Sequence, residues 1–171
     1  MFKAVGLLGL VIASGLIGIM KSKDLKRRAS LLEDYLQMII EIKGQINYFR
    51  EPLPDIFGKL NKIGDSKAFS ILDELRIDLE EKGGEIVKIW PQKVTETYKN
   101  EPLTADDIEI LKYPGEFIGQ TDFENHIYHF SYLEEKLKKQ IKEAQDDFAK
   151  KGPMYNKIGF FLGGIGAILF I

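Results

Sequence analysis

The chain has 171 residues, enough for one domain with its own core, and 44% of them are hydrophobic. It has no cysteine, which excludes disulfides and thiolate chemistry. Its formal net charge is -2, so there is no basic field to concentrate nucleic acid. Charged residues are nearly absent from both ends of the chain. We therefore expect a soluble middle region between two apolar segments, and no nucleic-acid partner.

The first apolar segment, residues 4–20, contains no charged side chain. With the residues before it, this segment approaches the roughly 20 residues that cross a hydrocarbon core. Five basic residues follow at once: Lys21, Lys23, Lys26, Arg27 and Arg28. Basic residues in this place hold their side of a segment in the cytoplasm. A cleaved signal peptide is the alternative, since residues 13–15 are small, but the apolar run continues beyond them and favours a transmembrane anchor at residues 1–20.

The second apolar segment, residues 158–171, follows three lysines. A run this short could also be a core helix or an interfacial helix. An interfacial helix needs a charged face, however, and this segment has no polar face. We predict a C-terminal transmembrane segment at 153–171, whose helix restarts with Pro153 at its first position. Both termini would then lie across the membrane from a cytoplasmic domain at 21–152.

Glycines recur in both apolar segments. The first contains Gly6, Gly9, Gly15 and Gly18, and the second contains Gly159, Gly163, Gly164 and Gly166. Small residues at helical spacing let two helix backbones approach closely, so the pattern predicts that the segments pack on each other or on a partner's helices. The alternative is that glycine is simply common in membrane helices.

The first part of the middle region has a clear helical pattern. Apolar side chains recur in steps of three and four, with Arg28 filling one gap: Leu25, Leu32, Tyr35, Ile39, Ile42, Ile46 and Phe49. This spacing predicts a helix with a narrow apolar seam. No residue between Gly18 and Gly44 would break it, so we expect it to continue from the apolar segment. Pro52 and Pro54 then predict a turn, because proline lacks a donor and restricts the residue before it.

Shorter helical patterns follow the turn. One helix is predicted to end near Leu60, and a second is predicted after Asp65, which can serve as its N-cap. The pair Gly83-Gly84 should end this second helix. The next pattern spans residues 85–99, where Pro91 should kink the helix or start a new one.

Two capping boxes mark helix starts further along the chain. Thr104 with Asp107, and Thr121 with Glu124, have the spacing at which side chains satisfy the free amides of a first turn. They place helix starts near residues 105 and 122. The last soluble helix is predicted at 122–150, with Glu134 as the one interruption of its seam. That seam consists of Phe123, Ile127, Phe130, Leu137, Ile141, Ala144 and Phe148.

No stretch of the sequence alternates in the manner of a β-strand. We therefore predict an all-α fold, an antiparallel helical bundle of about six helices with a membrane-spanning segment at each end. The long first and last helices are expected to pair antiparallel, which would bring the two anchors together.

The search for chemistry finds one cluster with metal-like spacing, Asp122, His126 and His129. Since Phe123, Ile127 and Phe130 are assigned to the core, we expect the histidines on the solvated flank of the helix. Adjacent carboxylates point about 100° apart on a helix and do not converge on a substrate. We assign these pairs to solvated faces and helix ends: Glu80-Glu81, Asp106-Asp107, Glu134-Glu135 and Asp146-Asp147.

The remaining chemical motifs are equally sparse. The glycines at 83–84 are not followed by the lysine and hydroxyl residue of a phosphate-binding loop. Trp90, the single tryptophan, is assigned to the core, with an exposed partner-binding residue as the alternative. We therefore predict no catalytic residue, no cofactor site and no metal site, and we expect the protein not to be an enzyme.

The order of several short segments resembles one family. The segments are Ile46, Tyr48, Pro52, Leu53, Pro54 and Asp55, then Ile89-Trp90, Leu103-Thr104, Gly119-Gln120-Thr121-Asp122, and the ending from Tyr155 to Ile171. Together with the N-terminal anchor and its basic residues, they make the chain resemble stage III sporulation protein AB of endospore-forming bacteria over essentially its entire length.

This resemblance implies a function and partners. The family is similar in fold to the cytoplasmic domains of inner-membrane platform proteins of type II secretion and type IV pilus machines. It implies a part in the channel complex that joins mother cell and forespore, in the outer forespore membrane with the soluble domain in the mother-cell cytoplasm. The implied partners are a cytoplasmic secretion-type ATPase and other membrane proteins of the complex. Association with a second copy of the chain is left open. A metal-dependent membrane enzyme and a signalling adaptor remain the alternatives.

Overall fold

The structure is a computed structural model that describes residues 2–49, 51–119 and 123–169, with side chains at 12–48, 51–81, 83–119, 126–158 and 161. Within these ranges the chain forms six helices of eight residues or more, one short helical turn and no strand. They are α1 (Phe2–Phe49), α2 (Leu53–Leu60), α3 (Lys67–Lys82), α4 (Ile86–Tyr98), α5 (Ala105–Lys112), the turn α6 (Pro114–Phe117) and α7 (Phe123–Leu169). The predicted all-α fold with about six helices is confirmed.

The predicted membrane spans have a separate outcome. Among the residues that the structure describes, no helix has a stretch both long and apolar enough to cross a membrane. The predicted segments 1–20 and 153–171 include Met1, Phe170 and Ile171, which lie outside the described residues, and many of their side chains are not described either. The two membrane-spanning segments therefore stay predictions.

The chain divides into two compact units. Unit 1 comprises Met1–Ala29 and Lys142–Ile171, and unit 2 comprises Ser30–Ile141. The predicted domain boundaries after residues 20 and 152 lie inside α1 and α7, because each of these helices is continuous through them. The expectation that the first helix runs on from the apolar segment is thus confirmed.

The prolines of this chain act differently according to their place in a helix. Pro52 is the N-cap residue of α2 and Pro54 lies in its first turn, where a missing N–H removes no helical hydrogen bond. The predicted turn after α1 is confirmed. Pro153 and Pro91 lie inside α7 and α4, so the predicted helix end at residue 150 and the restart at Pro153 are wrong. A single proline removes one backbone bond, and the helical residues on both sides hold the helix together.

The core of unit 2 forms around the predicted seam of α1. Leu32, Tyr35, Ile39 and Ile42 are fully buried, while Ile46 is half-buried and the side chain of Phe49 is outside the described ones. Helix α2 packs on α3, α3 on α4, and α4 on both α5 and α6. Fully buried residues of these helices complete the core: Phe57, Leu60, Ile71, Leu72, Leu75, Trp90, Val94 and Leu111.

Three polar groups are joined inside this core. The Tyr35 hydroxyl donates to the Leu111 carbonyl at 2.6 Å. Trp90 Nε1 donates to the same carbonyl at 3.0 Å and to the Tyr35 oxygen at 3.1 Å. Because buried polar groups are costly unless paired, this network fixes the positions of α1, α4 and α5 within unit 2. Trp90 is fully buried, so its assignment to the core is confirmed.

Helix ends follow the predicted signals in part. Thr104 and Asp107 form the predicted capping box of α5, with the Asp107 amide donating to Thr104 Oγ1 at 3.1 Å and the Thr104 amide donating to Asp107 Oδ2 at 2.8 Å. Gly83, at φ 60°, ends α3 as predicted. The N-cap residue of α3 is Ser66 and not Asp65, and it makes no side-chain cap bond. The predicted cap at Thr121 lies outside the described residues.

The core face of α7 differs from the predicted seam by one position near its start. Its buried residues within unit 2 are His126, Phe130, Leu133, Leu137 and Ile141. Ile127, which was assigned to the core, is 42% exposed. The steps back from 137 to 133 and from 133 to 130 are four and three residues, so an alternating pattern continues with a step of four to 126, whereas 127 would need a second step of three. Glu134, the predicted interruption, is paired with Lys43 of α1 at 2.7 Å.

Unit 1 pairs the start of α1 with the end of α7. Gly15, Gly18 and Ser22 of α1 are buried, and so is Gly152 of α7. A Cβ atom at Gly152 would lie 3.2 Å from Ser22 Oγ, and Arg28 Nη1 lies 3.7 Å from Asp147 Oδ2. Because the position on α7 decreases as the position on α1 increases, the helices are antiparallel in this unit. Ser22 and Gly152 are small residues at this contact. The side chains at 159–160 and 162–171 are outside the described ones, so the predicted packing of the glycine pattern stays a prediction.

Candidate interaction surfaces

The histidine pair is packed among aromatic rings. His126 is only 8% exposed and meets the edge of Phe117, with ring centroids 6.2 Å apart. His129 stacks on the same Phe117 ring at 5.2 Å and hydrogen-bonds through Nδ1 to the Tyr113 hydroxyl. The expectation that both histidines lie on a solvated flank is therefore wrong for His126, because the core face of α7 passes through it.

The metal hypothesis for this pair gains no support. Asp122, its third residue, lies outside the described residues. Within the described ranges, no three His, Asp or Glu side chains are grouped closely enough to hold a metal ion. Packing against Phe117 is a sufficient reason for the position of both imidazoles.

The acidic pairs mostly occupy helix ends and solvated faces, while Asp147 is half-buried between Arg28 and Lys151. Glu80, Glu81, Asp106, Glu135 and Asp146 are exposed. Asp107 is fully buried as part of the α5 capping box, and the Glu134 side chain is 16% exposed between Lys43 and Lys138. None of the pairs converges on a common point, in agreement with the helical geometry.

The turn between α1 and α2 presents an aromatic side chain to solvent. Tyr48, one residue before the end of α1, is 85% exposed. Pro52 and Asp55 beyond the turn are also exposed. Tyr48 thus lies at the end of α1, four residues before Pro52, whose ring restricts the backbone at the start of α2. Tyrosine is among the residues that contribute most often to protein–protein binding.

Gly119, which follows α6, lies near the start of α2. Gly119 has φ of 102°, a conformation that favours glycine. A Cβ atom at Gly119 would lie 2.9 Å from Ile86 Cγ2 and 3.7 Å from Leu53 Cδ1. The residue at 119 thus lies close to Ile86 at the start of α4, and at ordinary contact distance from Leu53 at the start of α2. A side chain at residue 119 would clash with Ile86 and would be strained at this φ.

A charged groove of about 520 Å³ lies beside the turn, between α2 and α3. Arg76 crosses this groove, with its side chain against Gly58 and hydrogen bonds to Asp73 at 2.9 Å and to Glu80 at 2.7 Å. The hydrogen bond to Asp73 outweighs the effect of burial and, with the charge of Glu80, raises the pKa of Arg76. On the other wall, Lys59 Nζ donates to Glu51 Oε1 at 2.6 Å. The groove therefore offers charges of both signs, held in ion pairs, beside the α1–α2 turn.

Comparison with known proteins identifies the family. The family model described as stage III sporulation protein AB matches residues 3–171. The chain belongs to this family. A solved structure of stage III sporulation protein AB has a similar fold, with a TM-score of 0.65 at 16% sequence identity, covering 71% of this chain and 96% of that one. No curated protein sequence matches the chain. The protein accordingly has a role in sporulation.

Two of the family segments, residues 46–55 and 119–122, lie close together in unit 2. Tyr48, Pro52 and Asp55 of the first are exposed, and Leu53 Cδ1 would lie 3.7 Å from a Cβ atom at Gly119 of the other. Residues 120–122 of that segment lie outside the described residues. Two segments that are far apart in the sequence thus shape the same surface.

Sequence reasoning missed the groove beside this surface. Arg76, Asp73 and Glu80 have the helical spacing of ion pairs, but this spacing is common on exposed helices. Gly58 inside the short helix α2 was the available signal, because a glycine at a helix interior costs about 1 kcal/mol relative to alanine. In the structure it leaves space for Arg76, whose Cδ would lie 3.1 Å from a Cβ atom at this position.

Proposed function

We propose that this protein is a non-enzymatic membrane platform of stage III sporulation. In this role it binds a cytoplasmic secretion-type ATPase and links it to the channel complex between mother cell and forespore. The family supports the sporulation role. The single observation that carries the binding role is the surface at the α1–α2 turn, where Tyr48 is 85% exposed and Glu51, Pro54 and Asp55 line a charged groove.

The physical case for this surface rests on the exposed aromatic ring and on the charged groove at the turn. Tyr48 has only two side-chain torsions, so ordering its ring on binding costs little conformational entropy. The charges of Arg76 and Lys59 are already held by carboxylates, so a partner meets a fixed pattern of charge. Such patterns contribute to specificity and to the rate of association. They suit a component that selects one partner.

Membrane anchoring is the second part of the proposal. It rests on the uncharged runs at 4–20 and 158–171 and on the basic residues that flank them. Large apolar side chains in the described part of unit 1 are also exposed, among them Ile17 at 62% and Phe161 at 69%. Apolar groups this exposed on two neighbouring helices are expected to be covered by lipid or by a partner's helix. We place the protein in the outer forespore membrane, with unit 2 in the mother-cell cytoplasm.

Site-specific photo-crosslinking tests the binding role. A photoreactive amino acid at residue 48 of the full chain, expressed in sporulating cells, should crosslink the secretion-type ATPase. The matched control is the same amino acid at Tyr128, which is 67% exposed on α7. Crosslinks to the ATPase from residue 48 alone are the expected result. Equal crosslinking from both positions, or crosslinking from residue 128 alone, would refute this surface as the binding site.

A further inference from the structure

The exposed apolar side chains of unit 1 end at the same level on both helices. On α1 they are Ile12, Leu16, Ile17 and Met20, and on α7 they are Met154, Ile158 and Phe161. The contact between Ser22 and Gly152 sets the register. Met20 and Met154 each lie two residues, or about 3 Å, from this contact and in the same direction. The exposed apolar side chains thus begin at the same level on both helices, and exposed Lys157 of α7 lies among them, about 8 Å from the contact.

A band of lysines lies directly beyond this level, and we call it the basic collar. It consists of the exposed residues Lys21, Lys23, Lys26, Lys150 and Lys151. With the same register, all five lie within about 6 Å, along the helix axis, of the Ser22–Gly152 contact. Because the pairing is antiparallel, lysines from both ends of the chain are brought to one level. The sequence alone does not show this alignment.

Nearby acidic groups neutralise only part of the collar. Asp147 is held by Lys151 at 2.6 Å and by Arg28 at 3.7 Å. The hydrogen bond from Lys151 is the main reason that the pKa of Asp147 is lowered, so this carboxylate stays ionised. Asp24 and Asp146 are the other nearby acids. Lys21, Lys23 and Lys26 make no ion pair within the described part of the chain, so the collar keeps an excess of positive charge.

We propose that the basic collar binds the headgroups of anionic phospholipids, in preference to those of neutral phospholipids. This proposal rests on the proposed membrane anchoring. An anionic phospholipid presents a phosphate charge directly beside hydrocarbon, and unit 1 presents lysines directly beside exposed apolar side chains. Each lysine near an anionic surface strengthens binding about fivefold, and its long stem lets the charge reach the phosphate.

Lipid selectivity of the full chain tests the proposal. The protein is reconstituted into phosphatidylcholine vesicles that contain a trace of spin-labelled phosphatidylglycerol or spin-labelled phosphatidylcholine. The motionally restricted fraction of each label gives its relative association constant. We expect phosphatidylglycerol to be preferred about fivefold or more. The preference should disappear at about 1 M salt, where the Debye length is about 3 Å.

Two charge-matched variants locate the effect. The collar variant carries Lys21→Gln, Lys23→Gln and Lys26→Gln, and should lose most of the preference. The control variant carries Lys62→Gln, Lys88→Gln and Lys99→Gln, which remove the same charge from exposed positions of unit 2, and should keep it. Equal association of both lipids with the parent, or equal behaviour of both variants, overturns the collar proposal.

Failure of the collar proposal is distinguishable from failure of the proposed function. If the chain enters vesicles but restricts both lipids equally, the anchoring stands and the headgroup preference is refuted. If the chain does not float with the vesicles in a density gradient and restricts neither label, the membrane anchoring itself is refuted, and the collar proposal is refuted with it.

Discussion

Replacing each of two buried tyrosines by phenylalanine is expected to change the stability of unit 2 in opposite directions. Tyr35 and Tyr98 are 0% and 2% exposed, and their ring centroids lie 6.3 Å apart. The Tyr35 hydroxyl donates to the Leu111 carbonyl at 2.6 Å. The Tyr98 hydroxyl is buried and has no hydrogen-bond partner among the described residues. The same substitution therefore removes a satisfied hydroxyl in one case and an unsatisfied one in the other.

The magnitudes follow from the partners that remain. In Tyr35→Phe, the Leu111 carbonyl still accepts from Trp90 Nε1 at 3.0 Å, so no group is left unpaired and the cost is one buried hydrogen bond, about 1 kcal/mol. In Tyr98→Phe, the desolvation penalty of an unpaired hydroxyl is relieved. That penalty is about 1–3 kcal/mol, so we expect the variant to be more stable by about 1 kcal/mol.

Denaturant unfolding of the full chain in mild detergent measures both effects. Trp90 is the single tryptophan and lies 3.1 Å from the Tyr35 hydroxyl, so its fluorescence reports the packing of this core. The slope of the transition should be the same for both variants and the parent, which shows that the midpoint shift reflects stability. Destabilisation by Tyr98→Phe of about 1 kcal/mol or more would refute the reasoning, because it would show that this hydroxyl has a partner.

Three further outcomes are expected. Burial raises the pKa of both Tyr35 and Tyr98, so both phenols stay neutral in the folded state while they ionise in the unfolded chain above about pH 10. The free energy of unfolding should therefore be highest below that pH and fall above it. The fall should be less steep in Tyr98→Phe, which has lost one of the two phenols. His126→Leu should leave sporulation unchanged and stability equal or higher, because Nε2 is buried without a partner in the described region; a sporulation defect at normal protein abundance would revive the site hypothesis. Replacing Pro52 and Pro54 by alanine should let α1 continue past the turn, because alanine is better than proline by about 3 kcal/mol in a helix interior. The double variant should keep its helix content but lose cooperative melting and ATPase capture. A double variant that melts like the parent and still captures the ATPase would contradict this.

Local patterns predicted much of the fold. The seam of α1, the turn at Pro52 and the capping box of α5 depend on residues within a few positions of one another, so the sequence contains what determines them. Pro153 shows the limit. Its local effect is to disfavour the helix, but α7 continues through it, because the helical residues on both sides outweigh this effect.

The register of α7 and the interaction surfaces needed tertiary information. His126 was treated as polar, yet the edge contact with Phe117 makes its ring part of the core. The exposure of Tyr48 is predictable from the sequence, because the pattern assigns Ile46 and Phe49 to the opposite face of α1. The crossing of Arg76 over Gly58 and the shared level of Met20 and Met154 depend on how separate helices pack, which periodicity does not contain.

The distribution of the ATPase between membrane and cytosol tests the central claim most directly. Membranes from sporulating cells that contain this protein should retain the secretion-type ATPase after pelleting. In cells that lack the protein, or that carry the chain without residues 1–20 and 153–171, the ATPase should move to the soluble fraction. An ATPase that remains in the membrane pellet of cells lacking this protein would contradict the account, because its attachment would then not depend on this platform.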